Sequence, residues 1–261
     1  TSSERKKLDP GKKYYLKVDG VYKEMYYDRP YLFGSGSWYV DGKGADDKDY
    51  KDCEIYEKIV DTTTKLAALK NSVYQFIDDT KKNSPNSKIG ITAFSSKDKN
   101  GYAYGDHGKS KELMEVGDNA DTLKSFVDSL DAKGGTDPAV GLNNAKKELE
   151  KANDKNPKYV ILFTDGEPTG RGNEWNKDAQ INAETSAKEL KKAGYTVYTI
   201  GFGLKERPKT FLAGGTYSGK TYPGIASEGC AKEANYAASL NAIFKEIQSE
   251  VTNNSDITGA T

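Results

Sequence analysis

The sequence contains one histidine and two cysteines, which leaves little material for soft-metal or nucleophilic sites. His107 stands in a Gly-Asp-His-Gly segment with no second histidine or cysteine nearby, so a zinc site is not expected and a solvated loop residue is predicted. Cys53 and Cys230 match neither a zinc spacing nor a Cys-x-x-Cys redox motif. One long-range disulfide and two separate thiols both remain open from the sequence.

The chain also lacks long apolar runs, a signal peptide and a net charge. No run is long enough to cross a bilayer. Lys plus Arg and Asp plus Glu each number 39, and no basic stripe is interleaved with aromatics, which argues against a nucleic-acid partner and against membrane insertion. The 18 tyrosines, with abundant Lys, Asp, Asn and Gly, are typical of an extracellular protein on a bacterial cell surface.

Three segments follow one another along the chain. Residues 1–60 are rich in tyrosine and carry Asp19-Gly20 and Asp41-Gly42, strong hairpin signals that predict a small β-meander elaborating the main domain. Residues 61–251 alternate strand and helix patterns, which predicts an α/β domain with a mostly parallel, doubly wound sheet flanked by helices. Residues 252–261 are polar and predict a linker.

Two motifs carry the chemistry of the larger domain. The apolar run 159–163 leads through Thr164 into Asp165, and ligands in open α/β sheets bind beyond the carboxyl ends of such strands. Upstream, Gly134-Gly135-Thr136-Asp137-Pro138 places a hydroxyl on a glycine-bent loop that opens a helix. A hydroxyl and a carboxylate at one sheet edge predict a hard-cation site with oxygen ligands. The simpler interpretation is that Thr136 caps the helix and Asp165 caps a turn.

The order of these motifs resembles the von Willebrand factor A domain family, over roughly residues 62–250. Segments 88–94 and 198–203 are similar to that family's second and fifth strands. The resemblance implies a metal-ion-dependent adhesion site at the top of the sheet, in which Thr136 and Asp165 serve the metal, Asp165 usually through water. The implied ion is Mg²⁺, or Mn²⁺ or Ca²⁺. The implied partner is a protein or extracellular-matrix ligand whose acidic group completes the metal shell.

The family's first motif, Asp-x-Ser-x-Ser, is absent from the chain. Residues 33–37 have the serine spacing, but Phe33 stands where the aspartate belongs. Residues 61–65 have the aspartate and a hydroxyl, but Lys65 would put an ammonium at the second ligand position. Plain helix capping is the better interpretation of that segment.

We therefore expect the first motif and its strand to precede Thr1, so that the chain is an N-terminally truncated member of the family. The β-rich segment would then be an insertion between that motif and the first helix, as in some bacterial pilus-type proteins. The first strand would lie between segments 88–94 and 158–164. The chain as given is expected to bind metal weakly at most, and extension upstream by about 15–20 residues should raise its melting temperature and create Mg²⁺ affinity.

The function indicated is a non-enzymatic binding and adhesion module. If the first motif is truly lost, the alternative is a metal-free protein-interaction scaffold. The hypothesis of a nucleotide-binding enzyme is supported only by Gly214–Thr221, which matches Gly-x-x-x-x-Gly-Lys-Thr. A phosphate loop needs a buried strand before it and a helix after it, and the flanking residues predict neither, so a flexible surface loop is favoured.

Overall fold

A computed structural model describes residues 5, 7–28, 36–57, 64–97, 100–103, 105–152, 155–172 and 174–258. The chain divides into two compact units, Thr1–Thr62 and Thr63–Thr261. Among the described residues, no helix is long and apolar enough to cross a membrane. Both thiols, Cys53 and Cys230, are free.

The first unit is a five-stranded antiparallel sheet in the order β4-β3-β2-β1-β5. Its strands are β1 (Tyr14–Val18), β2 (Val21–Asp28), β3 (Ser37–Val40), β4 (Lys43–Gly44) and β5 (Ile55–Glu57). Asp19 and Gly20 have φ of 49° and 82°, and Asp41 and Gly42 have φ of 49° and 78°. Two consecutive left-handed residues suit a two-residue turn that matches strand twist, so the predicted hairpins are confirmed. Trp38 lies in the core of this sheet, where its ring packs edge-on against Tyr14 with 5.3 Å between the ring centroids.

The second unit alternates strands and helices. Its helices are α1 (Lys65–Asn83), α2 (Val116–Asp128), α3 (Pro138–Lys151), α4 (Lys177–Lys192), α5 (Glu206–Ala213) and α6 (Ala237–Thr258). Its strands are β6 (Lys88–Thr92), β7 (Ser110–Glu115), β8 (Tyr159–Thr164), β9 (Thr196–Phe202), β10 (Gly215–Tyr217), β11 (Lys220–Tyr222) and β12 (Ala231–Ala234). Strands β8, β9 and β12 pair in parallel in the order β12-β9-β8.

Helices cover both faces of the parallel sheet. Along β8, Val160 and Leu162 belong to the core that includes α3 and α4, whereas Ile161 and Phe163 pack into the core formed with α1 and α6. This period of two follows from the alternation of side chains along a strand. A sheet buried on both faces accounts for the near-continuous apolar run, and the predicted α/β, doubly wound fold is confirmed.

The sheet of this unit is in two parts. Strands β6 and β7 form a separate antiparallel pair, and within the described residues β6 and β8 are not hydrogen-bonded to each other. The first strand of the family was expected between these two strands. Residues 1–4, 33–35 and 61–63, on which parts of that expectation depend, lie outside the described residues, and the missing strand stays a prediction.

Two details differ from the sequence prediction. Helix α6 continues to Thr258, so residues 252–258 of the predicted linker are helical. Asn, Ser and Asp each lower helix stability by only tenths of a kcal/mol. Residues 237–258 contain neither glycine nor proline, so no residue before Gly259 would stop the helix. Strand β7 was not predicted, because Ser110–Glu115 is largely charged and its pairing with β6 is set by tertiary contacts.

Candidate functional site

Asp165 follows the carboxyl end of β8, where its side chain is about half exposed and forms an ion pair with Lys65. The Lys65 ammonium Nζ lies 3.3 Å from Asp165 Oδ2. It also donates to the Asp165 carbonyl oxygen at 3.4 Å. The side chains are 48% exposed for Lys65 and 52% for Asp165, so both charges are accessible to a partner.

Thr136 is held in place by backbone hydrogen bonds among three loops. The Gly135 N–H donates to Ser96 Oγ at 2.8 Å, and the Ser96 N–H donates to the Gly135 carbonyl oxygen at 2.9 Å. The Thr136 N–H donates to Thr169 Oγ1, and its carbonyl oxygen accepts from the Gly170 N–H, both at 3.0 Å. These reciprocal bonds fix the backbone of the threonine loop between the loop after β6 and the loop after β8.

These hydrogen bonds, which we call the clamp, also hold Thr136 next to Asp165. A Cβ built on Gly166 would lie 3.2 Å from Thr136 Oγ1, so the threonine hydroxyl rests against the backbone that directly follows Asp165. The structure therefore brings together both residues that the sequence proposed for the site. Sequence reasoning missed Ser96 and Thr169, whose hydroxyls accept hydrogen bonds from the loop backbone. Ser96 had a recoverable signal, since it closely follows an apolar strand at the same edge.

The described donors do not by themselves fit Mg²⁺. That ion demands near-octahedral oxygen coordination, whereas Thr136 and Asp165 supply two donor side chains. Within the described part of the chain, no three or more His, Cys, Asp or Glu side chains cluster as a metal site would require. The Lys65 ammonium, which lies against the Asp165 carboxylate, would also repel a cation placed there.

An open cleft of about 240 Å³ adjoins this loop and is lined by Ser96, His107, Asp137 and Arg171, among others. His107 was predicted to be a solvated loop residue, but it is half-buried, with Nδ1 hydrogen-bonded to the Ser95 carbonyl oxygen. Asp137 Oδ1 is buried and has no hydrogen-bond partner in the part of the chain that the structure describes. Burial raises the pKa of Asp137. The Ala139 backbone N–H and the charge of His107 lower it, but by less, so the net shift is upward.

We expect Asp137→Asn to stabilise the protein at neutral pH by up to about 1 kcal/mol, because the fold disfavours the buried, charged carboxylate. Asparagine is an equally good residue at the N-cap of α3. A carboxyl whose folded pKa is raised destabilises the fold above that pKa and has no such effect below the unfolded pKa. Urea unfolding should therefore show a gain at pH 7 that shrinks as the pH approaches 4. An equal gain at both pH values would contradict the role of ionisation.

Asp106 links the loop that contains His107 to the segment that precedes Gly134, through a hydrogen bond with the Asp131 backbone. Its buried carboxylate is paired with Lys109 and accepts the backbone N–H of Asp131. Burial alone would raise the pKa of Asp106, but the hydrogen bonds from Lys109 and Asp131 and the charges of Lys109 and Lys133 outweigh it, so the pKa is lowered. The sequence offered no specific signal for this link.

Asp106→Asn should reduce the free energy of unfolding at pH 7 by about 1.5–3 kcal/mol, the usual contribution of hydrogen bonds to a charged group. Because the folded pKa lies below the unfolded one, this stabilisation is present above about pH 4 and is lost as the pH falls through the folded value. Melting temperatures at pH 7 and pH 3 measure the effect. Asp121→Asn, at an exposed position in the middle of α2, is the matched control and should leave both melting temperatures unchanged.

The segment Gly214–Thr221 does not have the geometry of a phosphate loop. It follows helix α5 and forms the hairpin β10–β11, with Ser218 and Gly219 in the turn at φ of 49° and 77°. No helix N-terminus follows it to receive a phosphate, since β11 continues directly from the turn. The prediction of a flexible loop is also wrong, because the segment is a paired hairpin. Its mostly polar residues lack the alternation of apolar and polar side chains that predicts a strand.

Comparison with known proteins connects this geometry to a family. Residues 60–250 match the von Willebrand factor type A domain. The chain is 40% identical over 86 residues to the uncharacterized protein YwmC of Bacillus subtilis (strain 168), which covers 32% of this chain and 34% of that protein. Its fold is similar to that of the pilus adhesin SpaC from Lactobacillus rhamnosus GG, with a TM-score of 0.59 at 16% identity. The open conformation of SpaC gives a TM-score of 0.57.

The SpaC comparison covers 95% of this chain but 35% of SpaC. The chain thus spans about a third of the length of either relative. At this level of identity the likeness to SpaC establishes a shared fold.

Proposed function

Because the chain belongs to the von Willebrand factor type A domain family, we propose that it is a non-enzymatic binding module of a bacterial cell-surface or pilus-associated protein. The observation that supports this most directly is the exposed Lys65–Asp165 ion pair next to the Thr136 hydroxyl at the carboxyl edge of the parallel strands. Ligands of open α/β sheets bind at this edge. The partner we propose is a protein or extracellular-matrix ligand that presents an acidic side chain.

Adhesion that depends on a metal is one form of this proposal. Thr136 and Asp165 would then be two of the ligands to Mg²⁺, Mn²⁺ or Ca²⁺. Further oxygen ligands from beyond the described residues would be needed, and Lys65 would have to leave Asp165. A metal-free interaction scaffold is the second candidate, and the Lys65–Asp165 ion pair favours it.

The proposal is tested by surface plasmon resonance against immobilised collagen, fibronectin and fibrinogen, in Mg²⁺ and in EDTA. We expect at least one of these proteins to bind and Thr136→Val to weaken that binding about tenfold or more. In the metal-dependent form, Asp165→Ala should weaken it by as much. Asp178→Asn removes one exposed carboxylate from α4 and serves as the matched control. Loss of binding in EDTA supports the metal-dependent form, and retention supports the scaffold. Binding that is equal in all variants would place recognition elsewhere on the chain.

A further inference from the structure

Lys65 is the first residue of helix α1, a position where a positive charge is unfavourable. The N-terminus of a helix carries the positive end of its dipole, and the first turn of α1 contains no acidic residue to offset the charge. Thr64 accepts the Ala67 N–H and caps the helix without help from Lys65. A residue that breaks a local rule with no local compensation points to a role in tertiary contacts.

The tertiary contact of Lys65 is the candidate site itself. Its ammonium reaches both the carboxylate and the carbonyl oxygen of Asp165, at 3.3 and 3.4 Å. A Cβ built on Gly203, just after β9, would lie 3.9 Å from Lys65 Nζ. The ammonium therefore lies over the ends of two adjacent parallel strands, at the edge where the Thr136 hydroxyl also lies.

We infer that Lys65 is the fixed cation of this site, which binds an acidic group of a partner without a metal. An ammonium has three donors, and the hydrogen bond to the Asp165 carbonyl oxygen uses one of them, so donors remain for a partner carboxylate. Because Lys65 is about half exposed, that carboxylate can reach it. The inference rests on the proposed function for the location of the site and adds that the lysine takes the role of the metal.

The ion pair also explains why a divalent ion would be held weakly. Lys65 and Asp165 together carry no net charge, so they offer a cation little attraction. Removing Lys65 would leave the Asp165 carboxylate uncompensated beside the Thr136 hydroxyl. One unit charge at about 4 Å changes the affinity for another unit charge by roughly fivefold in water, and by more in a less polar environment or for a divalent ion.

Titration with Mn²⁺ alone, followed by isothermal calorimetry and by the electron paramagnetic resonance of the free ion, tests this inference. We expect Lys65→Ser to bind Mn²⁺ at least about fivefold more tightly than the unmodified chain, and Lys65→Ser/Asp165→Asn to lose that gain. Equal Mn²⁺ affinity of Lys65→Ser and the unmodified chain would overturn the inference, as would a gain that survives in the double variant.

Lys82→Ser is the matched control, since it removes an exposed lysine from the same helix and changes the net charge equally. It lies about 25 Å along the helix from Lys65, beyond the screening length at physiological ionic strength. A gain in Mn²⁺ affinity of the same size in this variant would attribute the effect to overall charge and overturn the inference. Melting curves should show that both serine variants remain folded, because both lysines are exposed.

A second measurement follows the binding of fluorescein-labelled poly-L-glutamate in EDTA. We expect Lys65→Ser to weaken it about tenfold, whereas Lys65→Arg and Lys82→Ser should retain it. No loss in Lys65→Ser would overturn the inference. A chain that binds matrix proteins only with Mg²⁺ would overturn this inference and leave the proposed function intact. Failure to bind any matrix protein, with the Mn²⁺ gain present, would contradict the proposed function alone.

Discussion

Gly135→Ala is expected to lower the free energy of unfolding by about 2–3 kcal/mol and to weaken ligand binding more than tenfold. A Cβ at this position would lie 2.6 Å from the Gly170 carbonyl oxygen, 2.8 Å from Thr169 Oγ1 and 3.0 Å from Ser96 Oγ. The first of these atoms belongs to the backbone, and the hydroxyls take part in the clamp that holds Thr136. The loops must therefore separate, and the contact between Thr136 and the Asp165 strand end would be lost.

Urea unfolding measures the stability loss, and surface plasmon resonance against the matrix protein that binds measures the functional loss. Gly44→Ala is the matched control, because among the described residues no atom beyond Gly44 and its two chain neighbours lies within 4 Å of a Cβ built there. A Gly135→Ala protein as stable as the control would show that the three loops are not closely packed. Stability loss with unchanged affinity would separate the clamp from ligand recognition.

Ile200→Ala is expected to reduce the free energy of unfolding by about 3–4 kcal/mol, within the usual range of about 2–5 kcal/mol for truncating a buried isoleucine. Ile200 is 0% exposed and lies in β9, the middle strand of β12-β9-β8. It belongs to the core formed with α1 and α6, so the cavity would open between the sheet and these two helices. The candidate site lies at the edge of this parallel sheet. The cavity should therefore also lower the melting temperature of the whole unit that contains the sheet and the helices packed on it.

Ile181→Ala makes the same chemical change on α4, where the side chain is 44% exposed, and should cost less than about 1 kcal/mol. Chemical unfolding followed by far-ultraviolet circular dichroism compares the two variants. Similar losses in both would mean that the core between β9 and the helices is not well packed.

The Lys65–Asp165 pair has a different character from these buried contacts. An exposed ion pair typically contributes about 0–1 kcal/mol to stability, so stability does not account for a lysine at the unfavourable end of a helix. The same exposure makes the pair easy for a ligand to open. This combination of low structural value and high accessibility is what a recognition site requires.

The sequence by itself determined the elements whose signals are local or periodic. Asp-Gly pairs predicted the hairpins, because few other residues adopt two successive left-handed conformations. The apolar run ahead of Asp165 predicted a strand buried on both faces, and Pro138 after the Gly-Gly-Thr-Asp loop predicted the start of a helix. Sheet topology then required both loops to lie at one edge, which is why Thr136 and Asp165 could be placed near each other without coordinates.

Only the tertiary structure decided which side chains meet at that edge. Lys65 and Asp165 are 100 residues apart, and no periodicity relates them. The clamp through Ser96 and Thr169 consists of bonds between loops, whose conformations depend on the packing beneath them. Strand β7 and hairpin β10–β11 were missed for the same reason, since their polar sequences become strands through pairing partners and not through their own pattern.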